Sequence, residues 1–176
     1  MSDSIQHTNI KLIVTNRGLE PARYLRFELR RAVSGARVRG TGFRAVFAVE
    51  ADGDPRELAK LVFDECPQSV GHVTAVLATV DSNEESIKDA AVHIGAAEIG
   101  PEESFCFRLH KRGAHQLKRD TATLEREIGS AIWTALEAKH NKQPKVNLKN
   151  PELMVIAEIL GPLAAVGILR KVWREE

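Results

Sequence analysis

Residues 104–121 read SFCFRLHKRGAHQLKRDT, and the reading of this stretch decides the fold. Phe105, Phe107 and Leu109 alternate, which predicts a strand over 104–110 with those three on one face. Gly113 ends the run, and Asp120 or Thr121 supplies a helix cap. The long helix that follows carries Leu124, Ile128, Ala131, Ile132, Ala135 and Leu136 at helical spacing. Glu125 and Glu127 fall in its first turns, where the helix dipole favours acids. Strand, turn and long helix in this order place the chain in the α/β (α+β) class.

Upstream, Ile10–Thr15 is an apolar run that predicts a first strand, and Glu20-Pro21 opens a helix with Leu25, Leu29, Ala32 and Val33 at helical spacing. Ala36–Arg39 and Phe43–Glu50 read as two strands joined through Gly40-Thr41-Gly42, with Phe43, Ala45, Phe47 and Val49 on one face. Asp52-Gly53-Asp54-Pro55 starts a helix bearing Leu58, Leu61 and Val62, which Pro67 ends. Val73–Val80 is a further strand. Strand, helix, strand, strand, helix, strand is the ferredoxin-like pattern. A second unit begins near Asp81 with a helix over 82–93, broken by Gly95, Gly100 and Pro101. After the long helix, Val146–Leu148 predicts a short strand. Leu153–Leu160 and Ala164–Arg170 predict a hairpin across Gly161-Pro162. The expected domains are 1–80 and 81–176, packed together because no flexible linker parts them.

At 176 residues, 43% hydrophobic and 28% charged, the chain has enough apolar material for a sizeable core. Its formal net charge of +1 excludes a bulk basic field, so a nucleic-acid site must be a local patch. The two cysteines, Cys66 and Cys106, form no CxxC pair, which points away from zinc and disulfides and toward a reducing, cytoplasmic setting. Met1–Asn9 has no signal-peptide pattern. Leu153–Leu169 is interrupted by Glu158 and Gly161-Pro162, so no membrane association is expected.

Several patterns resemble catalytic or cofactor motifs and fail on context. Gly35–Gly40 has the glycine spacing of a phosphate loop but is followed by Thr41, not lysine. Gly40–Ala45 fits a dinucleotide pattern, and Arg37–Gly42 fits an acetyl-CoA signature. Both need a helix next, where the sequence predicts a strand. His7, His72, His93, His110, His115 and His140 lie at no metal-ligand spacing. No nucleophile elbow is present, and Cys106 sits inside an apolar strand. No catalytic residue, cofactor or metal is expected.

Charge is segregated along the chain. Arg108–Arg119 holds Arg108, Lys111, Arg112, Lys118 and Arg119 with His110 and His115 and no acid, and Lys139–Lys149 is a second acid-free run. Asp81–Glu103 carries seven acids and only Lys88 as a cation. A basic turn at the start of a helix gathers cations, free N–H groups and the positive helix end, a combination suited to RNA phosphates.

Four motifs in order carry a family resemblance: Phe105-Cys-Phe-Arg108, Lys111-Arg112-Gly113-Ala114-His115, Glu125-Arg126-Glu127-Ile128-Gly129, and Val146-Asn-Leu148-Lys-Asn150-Pro151. This part of the chain, about Asp81 to Trp173, resembles a THUMP domain. The resemblance implies a preceding ferredoxin-like unit, with the pair gripping the acceptor stem and 3′ end of tRNA. It implies RNA contacts at Arg108, Lys111, Arg112, Gly113, His115, Lys118, Arg119, Arg126, Lys145 and Asn150. With three residues after Trp173, the chain resembles the stand-alone class, including the tRNA-binding adaptor of the acetyltransferase that makes 4-acetylcytidine. The expectation is therefore a non-catalytic adaptor whose partners are tRNA and a tRNA acetyltransferase or other tRNA-modifying enzyme. The alternatives are an RNA-binding subunit for methylation or thiolation, an acetyltransferase using Arg37–Gly42, and a protein-interaction module using the acidic helix over 82–93. Lys111 and Arg112 are expected to be the main RNA contact, replaceable by Ala with the fold intact.

Overall fold

The structure, a computed structural model, describes residues 9–18 and 21–174. The chain divides into two compact units, Met1–Thr79 with Trp173–Glu176, and Val80–Val172. Among the sequence expectations, the signal-peptide reading of the first eight residues and the helix-opening role of Glu20 lie outside the described residues.

The first unit contains β1 (Ile10–Asn16), α1 (Ala22–Ala32), β2 (Arg37–Gly40), β3 (Val46–Glu50), α2 (Pro55–Glu65) and β4 (Val70–Asp81), which ends at the unit boundary. Its strands are ordered β2-β3-β1-β4. β1 is antiparallel to both β3 and β4, and β2 to β3. That is the ferredoxin-like arrangement expected from the element order. Leu12, Ile13 and Val14 of β1 are fully buried with Leu25 and Leu29 of α1 and Ala59 and Val62 of α2. Leu61, expected on the apolar stripe, stands 38% exposed, and Ala59 faces the core in its place. Asp54 caps α2 by accepting from the Arg56 N–H at 2.9 Å, and Pro55 opens the helix.

β3 begins later than the alternation suggests. Gly42 and Ala45 take positive φ angles of 80° and 61°. Thr41 Oγ1 accepts from the Phe43 N–H and donates to the Val46 carbonyl. Phe43–Ala45 are thus turn, and only Val46 onward is strand. A strand follows the glycines, so neither a dinucleotide loop nor an acetyl-CoA loop has its helix.

The second unit contains α3 (Glu84–Glu98), β5 (Ser104–His110), α4 (Thr121–His140), β6 (Lys145–Val146), β7 (Leu153–Leu160), β8 (Leu163–Arg170) and a closing 3₁₀ turn, Lys171–Trp173, whose Trp173 belongs with the first unit. Its strands run β8-β7-β5-β6. β5 is parallel to β6 and β7, while β7 and β8 form the antiparallel hairpin across Gly161, whose φ is 67°. α3 lies against α4, β7 and β8, and α4 lies against β5. Leu124, Ile128, Ile132 and Leu136 form the buried stripe of α4. Ala131 and Ala135, expected in that core, are only half-buried. Asn83 and Asp120 cap α3 and α4 by accepting from Ser86 and Thr123 N–H groups, each at 2.8 Å.

Gly95 does not end α3 as expected. It is buried within the helix, where a Cβ would stand 2.7 Å from Ile132 Cγ2. The glycine lets α4 approach closely, so packing overrides its weak helix propensity. At the chain end, Arg174 bridges to His72 of β4, which places Trp173 and Arg174 with the first unit, although the sequence assigned them to the second.

Candidate nucleic-acid interface

The basic turn is acid-free in sequence but not in space. Arg119 bonds Glu84 Oε2 through Nε at 3.0 Å, and through Nη1 it also reaches Glu127. The Lys118 and Arg119 backbone N–H groups donate to Glu84 Oε1 at 3.2 and 3.0 Å. The Arg119 guanidinium is the main reason that the Glu84 carboxyl is held at about 2, below its ordinary range. Arg119 lowers Glu127 in the same way, with Lys88 assisting. Asp120 is lowered chiefly by the Thr123 N–H it accepts from as a cap.

Arg112 points inward. Its guanidinium pairs with Glu158 of β7, a fully buried carboxylate whose other oxygen lies 3.2 Å from His110 Nδ1. The Arg112 side chain is 21% exposed. Its carbonyl accepts from the Gly161 N–H, and Gly113 has the positive φ, 73°, that the turn requires. Lys111 Nζ donates to the Arg119 carbonyl at 2.7 Å, which closes the loop on itself. His115 Nδ1 accepts from the Leu117 N–H at 3.1 Å.

The other expected contacts separate into two places. Lys145 lies beside Ser104 at the start of β5, and its Nζ is 3.0 Å from Glu102 Oε2. Glu102 is held down at about 2, first by Lys142 and then by Lys145. The basic turn leaves the far end of the seven-residue β5, about 20 Å away at the rise of a strand. Asn150 donates its N–H to Asn147 Oδ1 at 3.0 Å, part of an asparagine turn that also takes the Lys149 N–H.

Arg108 and Arg126 do converge. They line a groove of about 460 Å³ between α4 and the segment from β6 to Leu148, with Phe105–Phe107 of β5 at its base. The α4 wall is Ala122, Arg126, Gly129, Ser130 and Trp133, and the opposite wall is Val146 and Leu148. Those two apolar side chains are 53% and 62% exposed. Arg108 is held in the groove wall by Glu125 Oε2 at 3.4 Å and by the Leu148 carbonyl. Glu125 Oε1 accepts from the Leu109 N–H at 3.0 Å, which fixes α4 to β5. Arg126 is exposed, and no carboxylate pairs with it among the described residues. Gly129 has nothing within 4 Å of where a Cβ would be, so it opens the groove rather than filling a packing contact.

The groove sets two guanidiniums beside an indole and an apolar lip. Such a surface can stack a base and hold a phosphate. Trp133, Ser130, Val146 and Leu148 were not among the expected contacts. Their signal was in the sequence: 122, 126, 129, 130 and 133 recur at helical spacing and form a stripe separate from the buried one.

A ferredoxin-like unit followed by an α+β unit with parallel and antiparallel strands around a groove defines a two-unit module of mixed architecture. The THUMP domain profile matches residues 81–169, half of the chain, and the protein belongs to the THUMP-domain family. Over 82 residues the chain is 34% identical to a probable tRNA sulfurtransferase of Methanosarcina acetivorans, a match covering 47% of this chain and 19% of that relative. The chain thus spans about a fifth of the length of the curated relatives it matches. In fold it is similar to PH1313 of Pyrococcus horikoshii, with a TM-score of 0.62, 16% identity, and coverage of 92% of this chain and 55% of the other. It is also similar to a 4-thiouridine synthetase whose crystal structure is an RNA complex with bound ATP, with a TM-score of 0.59, 16% identity, and coverage of 92% and 42%.

Proposed function

We propose that the protein binds tRNA through the groove of the second unit and presents it to a separate modifying enzyme without itself catalysing the modification. The observation that carries this reading is the convergence of Arg108, Arg126 and Trp133 over the open surface of Gly129. Unpaired bases at an RNA end stack on such a ring, and the free guanidinium of Arg126 supplies a phosphate contact. The acceptor stem and 3′ end offer both a backbone and loose bases. The non-catalytic part of the reading is supported by the strand β3 that follows the glycine turn, where each cofactor pattern needs a helix. The buried Cys66 and Cys106 form no disulfide with each other, which fits work in the cytoplasm.

The chemistry served has two readings. One is cytidine acetylation with a tRNA acetyltransferase as partner. The likeness to tRNA sulfurtransferases favours thiolation. The test has two arms. In the first, Trp133→Ala and Arg126→Ala should each lower tRNA affinity about fivefold or more, and Arg126→Ala should reduce the salt slope by about one. Unchanged affinity and slope in both would overturn the groove. In the second, unmodified tRNA is incubated with the protein and a candidate acetyltransferase or sulfurtransferase, with their co-substrates, and the nucleosides are identified. 4-Acetylcytidine or 4-thiouridine formed only when both proteins are present decides between the readings. Product from this chain alone would overturn the adaptor.

A further inference from the structure

The groove leaves unexplained a second surface, on the first unit. Residues 22–44 contain seven arginines, no lysine and one acid, Glu28. Three of the arginines serve the fold. Arg26 lies 5.2 Å over the Phe47 ring and close against Gly40, while Arg37 and Arg39 flank Glu50 at 4.0 and 3.4 Å. Glu28 forms no salt bridge with any of these arginines among the described residues, and its Oε2 is buried without a hydrogen-bond partner.

α1 turns Leu25 and Leu29 into the core and leaves Arg23, Tyr24, Phe27, Arg30 and Arg31 outside. Spacings of three, four and seven residues put these five on one helix face. Tyr24 is 48% exposed and Phe27 65%, and they are the only aromatic side chains so exposed among the described residues. The Arg23 guanidinium stands 5.3 Å from the centre of the Tyr24 ring. Arg30 and Arg31 have no carboxylate partner among the described residues. The negative end of the helix dipole accounts for cations in the last turn. It does not account for two rings left in water between them.

We infer that this face of α1 is a second RNA-contact site, one that takes a short run of unpaired nucleotides with bases on Tyr24 and Phe27 and phosphates on Arg23, Arg30 and Arg31. The inference rests on reading the chain as an RNA-binding protein, but on residues the groove does not share. Three features select RNA over an acidic polypeptide. All the cations are arginines, whose planar guanidinium pairs with carboxylate and phosphate alike but also stacks on bases, which an acidic side chain does not offer. The rings are interleaved with the cations rather than set in an apolar patch. The face extends about 12 Å along the helix axis, which suits a few stacked bases.

The experiment uses the full chain and three variants: Tyr24→Ala with Phe27→Ala, Arg30→Gln with Arg31→Gln, and Trp133→Ala as the groove control. Circular dichroism checks that each folds, as expected for the exposed α1 positions and tested for the half-buried Trp133. Binding of tRNA and of a short single-stranded RNA carrying 5-iodouridine is measured across a salt series. The cross-linked peptide is then mapped, and a glutamate oligomer of matched charge serves as competitor. The expected results are a cross-link within residues 22–32 and at least a fivefold loss of single-strand affinity in the aromatic variant. The arginine variant should lose about 1.4 units of salt slope, at about 0.7 per phosphate. If Trp133→Ala abolishes binding and both α1 variants bind as wild type, this inference fails and the groove stands. If the α1 variants lose binding and Trp133→Ala does not, the groove fails and this site stands. Equal displacement by the glutamate oligomer would make the face a protein-docking surface, and absence of any RNA binding would overturn both readings.

Discussion

Arg112→Ala should cost the protein stability before it costs RNA affinity. Glu158 sits in β7 opposite His110 of β5, fully buried, with Arg112 on one carboxylate oxygen and His110 on the other. Removing the guanidinium leaves a carboxylate in the interior without its permanent positive partner. Breaking a buried pair from one side costs about 3–5 kcal/mol. Because Arg112 is 21% exposed and His110 remains, about 3 kcal/mol is expected here. For a chain of this size that is a fall in Tm of about 6–12 °C. Lys111→Ala, which removes only a surface bond to the Arg119 carbonyl, should stay within about 0.5 kcal/mol of wild type. The apolar double variant Arg112→Met, Glu158→Leu should recover most of the loss, since a packed hydrophobic pair can replace a buried ion pair at little cost. Thermal and urea unfolding followed by circular dichroism give the three values. An Arg112→Ala protein as stable as wild type, or a double variant less stable than the single, would refute the reasoning. A loss of RNA binding in an Arg112 variant is therefore to be compared with its stability, whereas the exposed Arg126 has no such buried pair.

Gly95→Ala should destabilise by about 1–3 kcal/mol through overpacking, because its Cβ meets Ile132 Cγ2 at 2.7 Å; Ile132→Val in the same chain should recover part of it in urea unfolding. Gly129→Ala should do the opposite and stabilise by up to about 1 kcal/mol, since the site is open and Ala is the better helix former, whereas Gly129→Phe should fill the groove and lower tRNA affinity at least tenfold in a filter-binding assay. Glu84 is held at about 2 by Arg119 against an ordinary value of 4.5, so its contribution to stability is full above pH 4.5 and is lost as pH falls through about 2. Glu84→Gln should therefore melt below wild type at pH 7, with the gap closing between pH 4.5 and 2; a gap independent of pH would mean that the charge is not what matters.

Much of this architecture was legible because it follows short-range rules. Alternation at 105, 107 and 109, the aspartate cap and the buried stripe of α4, and the Gly161-Pro162 hairpin all rest on neighbours within a few residues. The same rules misplaced the start of β3, because only the turn geometry shows Ala45 at a φ of 61°. They also made Gly95 a helix breaker, because the closeness of Ile132 is a property of two packed helices.

The sequence alone determined the order of elements, the ferredoxin-like unit and the four motifs that mark the family, because hydrophobic period and turn chemistry act locally along the chain. It also showed a basic turn. Only the tertiary structure shows what the charges of that turn pair with. Glu84, Glu127 and Glu158 come from three different elements to hold Arg119 and Arg112, which takes those charges out of the free patch. The same folding brings Arg108, Arg126 and Trp133 together over Gly129, and leaves Tyr24 and Phe27 outside among arginines. Charge acts through distance in space, and a linear sequence does not record that distance.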